Sequence, residues 1–123
     1  MKFEVVFYEK LDGTKPVADF IKSLPAAMRA KITRSLRLLE DNGTRLREPY
    51  SKPLRDGIFE LRVKFASDIS RILYFFFVGN KIIVTNGFVK KADKAPPNEI
   101  ERAKQYRKDF MDREERRKND DVK

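Results

Sequence analysis

The chain has 123 residues, 41% of them hydrophobic, with 28 Lys and Arg against 19 Asp and Glu and a net charge of +9. That length supports one modest core and no second domain. The sequence holds neither Cys nor His, which excludes disulfides, thiolate and imidazole metal ligands and an imidazole acid–base group.

No run has the length of a membrane span, and Met1-Lys2-Phe3-Glu4 opens without a signal-peptide apolar stretch, so a cytoplasmic protein is expected. From Met111 onward cations and carboxylates balance, so the whole positive excess lies on residues 1–110. A basic face on the folded body is expected, with 111–123 a net-neutral charged tail or helix extension.

Lys2 to Tyr8 is rich in β-branched and aromatic residues and predicts a first strand. Asp12-Gly13 predicts a turn. Pro16 suits the first position of a helix with Val17, Phe20, Ile21 and Leu24 on one face. Pro25 opens a second helix, where Met28, Ile32, Leu36 and Leu39 form an apolar stripe and Arg29, Arg34 and Arg37 fall off it. Asn42-Gly43 stops it with a pair suited to a left-handed cap. Residues 16–42 thus predict a helical hairpin.

Thr44 to Arg55 has two prolines and no period, which predicts a basic loop with a short edge strand. After an Asp56-Gly57 turn, Ile58 to Phe65 alternates, with Phe59, Leu61, Val63 and Phe65 on one face and Glu60, Arg62 and Lys64 on the other. Arg71 to Val78 is apolar at nearly every position, as in a central strand. A two-residue turn at Gly79-Asn80 leads into a strand from Lys81 to Val89, which completes a three-stranded antiparallel meander. Pro96-Pro97 breaks the chain before a last helix with Ile100, Ala103, Tyr106 and Phe110 as its stripe. The order is β-α-α-β-β-β-α, an α+β domain over residues 1–110 with helices on one face of a twisted antiparallel sheet.

The carboxylates are scattered, and the sequence has no P-loop, no G-x-G-x-x-G and no G-x-S-x-G. No cofactor and no metal is implied. What remains is cations set in strands. Arg62 and Lys64 share the polar face of one strand, Arg71 opens the next and Asn86 to Lys91 closes the third. Strands about 5 Å apart bring such groups together. A guanidinium offers phosphate a planar donor fork at any working pH and stabilises charge at a phosphoryl centre when held in place. Tyr74 offers a hydroxyl or a stacking face. The bland alternatives are an Arg62 paired with Glu60, a Tyr74 that is core, and Lys90, Lys91 and Lys94 in a solvated loop. Glu60 is foremost a structural partner for a nearby cation and secondarily a general base.

L-R-D-G-I-F-E-L-R at 54–62, S-R-I-L-Y-F at 70–75 and G-F-V-K-K-A-D-K-A-P at 87–96 together resemble the HigB/RelE toxins of type II toxin–antitoxin modules, in their phage-derived HigB-like branch. The resemblance implies a RelE-like fold and a metal-independent endoribonuclease that cuts mRNA in the ribosomal A site through attack of the 2′-hydroxyl on the adjacent phosphate. It implies a small antitoxin as partner, often a helix-turn-helix protein. The catalytic set it implies is Arg62, Arg71, Lys91 and, more weakly, Tyr74. Lys90 and Lys94 join Lys52, Arg55 and Lys64 as RNA contacts. Several relatives carry a His just before G-F-x-K-K, where this chain has Asn86. The competing readings are a ParE-like inhibitor of DNA gyrase, which shares the fold, and a nucleic-acid-binding module without catalysis.

Overall fold

The computed structural model describes residues 2–89 and 95–121. The elements are β1 (Glu4–Phe7), α1 (Pro16–Lys22), α2 (Ala26–Asn42), a single 3-10 turn (Gly43–Arg45), β2 (Ser51–Pro53), β3 (Phe59–Phe65), β4 (Asp68–Phe77), β5 (Lys81–Val89) and α3 (Pro97–Asp121). The fold is α+β, with three helices and a five-stranded sheet in the order β1-β5-β4-β3-β2. None of the described helices is long and apolar enough to cross a membrane.

Pro16 stands at the start of α1, Pro25 caps α2, and Gly43 ends α2 with φ +52°. A Cβ at Gly43 would lie 2.1 Å from the Phe3 ring, so backbone conformation and close packing both require glycine there. Asp56 and Gly57, at φ 57° and 79°, close the β2–β3 hairpin in the left-handed region.

The sheet is mixed, where an antiparallel one is expected from the sequence. β1 pairs in parallel with β5, Glu4 opposite Lys81 through Phe7 opposite Val84. The helical hairpin carries the chain across one sheet face to the far edge. The strands then walk back one by one, and their alternation leaves β5 pointing the same way as β1. The β4–β5 loop has three residues rather than two, because β4 stops at Phe77 and Phe77 pairs with Lys81.

The helices cover both faces, not one. On the first face Met28, Ile32 and Leu39 of α2 and Val17 of α1 pack with Leu61, Val63, Ile72, Tyr74, Ile82 and Val84. On the second, Ala103 of α3 packs with Tyr8, Ile58, Leu73, Phe75 and Ile83, flanked by Tyr106 and Phe110. Each buried Leu or Ile stabilises by about 1.5–3 kcal/mol. The unbroken apolar run of β4 records this two-sided burial.

Candidate active site

Residues directly opposite in an antiparallel pair share a face. Lys52 of β2 faces Glu60 of β3, Glu60 faces Leu73, and Arg62 faces Arg71 of β4. Lys52, Glu60, Arg62 and Arg71 therefore lie together on the α3 side. Arg71 and Glu60 are 2% and 0% exposed, so this is a buried ion pair rather than a solvated one. The Nη1 of Arg71 donates to Glu60 Oε2 at 2.8 Å and also contacts Oε1. Glu60 thus pairs with Arg71, where the bland alternative would give it to Arg62. Arg62 is only half-buried beside it. Burial pushes the Glu60 carboxyl up from its ordinary range, against the pull of Arg71, Arg62 and Lys52.

The pair forms the floor of a cleft of about 370 Å³ whose lining includes Lys52, Leu54, Arg55, Pro97 and Ile100. One wall is the β2–β3 hairpin and the other is the N-terminal half of α3. Three contacts tie these walls together. Arg55 reaches Glu101 at 2.9 Å, Lys104 reaches Asp56 Oδ2 at 2.8 Å, and Arg107 donates to the Asp56 carbonyl at 2.5 Å. Such exposed contacts contribute little individually, but they converge on one hairpin tip.

Asn86 is buried on β5, opposite Leu73. Leu73 pairs with Asn86 and Tyr74 with Val84, which leaves Thr85 as the extra residue of a bulge in β5. Asn86 Nδ2 donates to Glu99 Oε1 at 3.0 Å and to the Glu99 carbonyl at 3.2 Å, and its Oδ1 accepts from Thr85 Oγ1 at 2.6 Å. An amide supplies donors and an acceptor at once, and here they fasten the first turn of α3 to the sheet.

The structure thus brings Arg71, Lys52 and Arg55 into one cleft, with Arg62 adjacent by register. Arg62 itself, and Lys64 at the exposed far end of β3, line a different depression. Tyr74 is not brought together with the arginines. It lies in the opposite core, stacked on Phe59 with ring centroids 5.6 Å apart, and its hydroxyl is 2.5 Å from Ser51 Oγ. Burial raises its phenol, against the hydrogen bond from Ser51. Lys90, Lys91 and Lys94 lie outside the described residues. Glu60 is expected from the sequence to partner a nearby cation, and the structure makes that cation Arg71. The signal for that choice was an acid and two arginines alternating on adjacent strands, readable only once the second sheet face is known to be covered.

The profile of a family described as phage-derived protein Gp49-like (DUF891) matches residues 19–108, which run from within α1 through all of α2 and β2 to β5 and into the first half of α3. Comparison with curated proteins gives no match.

Proposed function

The chain belongs to the Gp49-like family of phage-derived proteins, a toxin family related to RelE and HigB, and from that membership we propose that it is the toxin of a toxin–antitoxin pair that cleaves mRNA on the ribosome. The observation that carries the chemistry is the Arg71 guanidinium, held by a buried carboxylate at the base of a cationic cleft. A guanidinium fixed before substrate arrives loses little on meeting a phosphate, and its charge acts where negative charge builds on the equatorial oxygens.

In this reading the RNA supplies its own nucleophile. The 2′-hydroxyl attacks the neighbouring phosphorus, the P–O5′ bond breaks, and a 2′,3′-cyclic phosphate and a 5′-hydroxyl form. Arg71 and Arg62 stabilise the transition state, and Lys52 and Arg55 hold the backbone. Glu60 fixes the orientation of Arg71. Lys91 is the proposed proton donor, with Lys90 and Lys94 as further RNA contacts. The partner is a small antitoxin that neutralises this cationic surface.

The test is incubation of a defined mRNA with the purified protein, with and without translating ribosomes. Fragments ending in cyclic phosphate, formed only with ribosomes, are expected. No fragments under either condition, from a chain that still arrests growth, would overturn the reading. Accumulation of gyrase–DNA cleavage complexes in the same cells would then identify the ParE-like activity.

A further inference from the structure

A second cationic depression lies away from the Arg71 cleft, between α2 and the polar edge of β3. It measures about 440 Å³, and the charged groups that line it are Lys31 and Arg34 of α2 and Arg62 and Lys64 of β3, with Tyr50 beside them and no carboxylate. Lys31, Arg34 and Leu38 recur at spacings of three and four, so one stripe of α2 turns both cations toward the opening. Their charge is not offset locally. Among the described residues no ion pair holds Lys31, Arg34, Arg62 or Lys64, whereas Arg102, Lys104, Lys108, Arg113 and Arg117 of α3 all have carboxylate partners.

Tyr50 supplies the second half of the observation. It is 52% exposed, unusual for a large aromatic on a small fold. Its backbone is nevertheless fixed on both sides. Its carbonyl accepts the Arg62 N–H at 2.9 Å, and its own N–H donates to the Arg47 carbonyl at 3.0 Å. A presented aromatic face surrounded by unneutralised cations is the arrangement that holds single-stranded nucleic acid, one base stacked and adjacent phosphates paired. An acidic peptide would use the cations and leave the ring idle.

We propose that this depression is a docking site for one unpaired nucleotide and its flanking phosphates, with Tyr50 as the stacking platform and Lys31, Arg34 and Lys64 as phosphate contacts. It rests on the ribonuclease reading for RNA as the natural occupant. It adds a subsite through which single-stranded RNA is held away from the Arg71 cleft.

The probe is a short fluorescein-labelled oligomer of 2′-deoxyuridine, followed by anisotropy across a salt series. It lacks the attacking hydroxyl, so a chain without any cleavage activity still reports this site. Tyr50→Ala should weaken binding about tenfold, the loss of one base–aromatic stack, while Tyr50→Phe restores it. Lys31→Ala with Arg34→Ala should make the slope of log K against log salt shallower by about 1.4, the effect of two lost phosphate contacts on a single strand. Tyr50 and Arg34 are exposed and Lys31 half-buried, and circular dichroism and the thermal midpoint confirm folding. Failure of the wild-type chain to bind the oligomer at low salt would overturn the proposal. So would variants that bind like wild type. Loss of binding to a polyglutamate peptide, with oligomer binding unchanged, would reassign the depression to an acidic protein.

Discussion

Arg71, in the role proposed for it, joins stability to chemistry. Truncating it alone leaves the Glu60 carboxylate buried without that guanidinium, which costs about 3–5 kcal/mol. In the proposed role of Arg71, a single substitution therefore mixes a folding defect with a catalytic one. Arg71→Met should lower the urea midpoint strongly, and adding Glu60→Leu should recover at least about 1 kcal/mol, since neither charge is then stranded. Both variants should be inactive in mRNA cleavage. A stable double variant that still arrests growth would remove Arg71 from the site.

Tyr8 raises a similar question without any link to the cleft. Its hydroxyl donates to Asp109 Oδ2 at 2.6 Å, its ring stacks on Tyr106, and Arg113 lies over its face. Burial first, then the hydrogen bond to Asp109 and that group's charge, push its pKa up to about 12. A folded value above the unfolded one of about 10 means that the stabilisation is complete below pH 10 and is lost as pH rises through about 12. In alkaline absorbance titration, the tyrosine component lost in Tyr8→Phe should be one that ionises near 12. That variant should lose about 1.5–3 kcal/mol at neutral pH, as expected for a hydrogen bond to a charged group. Tyr8 and Asp109 meet across nearly the whole chain, and no local pattern announces such a pair.

Among the elements, those with punctuation were legible. Prolines mark the starts of α1 and α3, Asn42-Gly43 ends α2, and Asp56-Gly57 turns the β2–β3 hairpin. The pairing of β1 was not legible, because a parallel neighbour leaves no turn between the two strands to read. Nor was the position of α3, since the stripe of Ile100, Ala103, Tyr106 and Phe110 shows that a face is buried without showing against which side of the sheet. Gly43 tests how tightly such a junction is set. A Cβ there meets the Phe3 ring and also strains a φ of +52°. Gly43→Ala should cost about 2–4 kcal/mol, from overpacking and left-handed strain together. Phe3→Leu in that background should return part of it by relieving the collision while leaving the strain. Equal thermal midpoints for Gly43→Ala and wild type would show that α2 ends with more room than the structure gives it.

At the scale of the whole molecule the sheet divides two kinds of interior. One side is apolar, between the sheet and the α1–α2 hairpin. The other is shared by an apolar cluster under α3 and the Glu60–Arg71 pair. The sequence alone placed the cations in strands. It could not assign them to sides, because alternation gives relative faces and leaves open what covers each one. Tyr74 is where that matters. Adjacent to strand cations in the sequence, it reads as part of their site, yet the β4 pleat sends Tyr74 toward α2 and Arg71 toward α3. Tyr74→Phe keeps the ring stack on Phe59 and strands the buried Ser51 hydroxyl, so it should cost about 1–3 kcal/mol in urea unfolding. Adding Ser51→Ala should recover much of that loss, because both partners are then apolar. If the two sides are as separate as the fold makes them, mRNA cleavage per folded molecule should change less than twofold in either variant. A large fall in cleavage with an unchanged unfolding curve would instead put the phenol in contact with substrate, and would require the β2 edge to open so that RNA reaches both faces of the sheet.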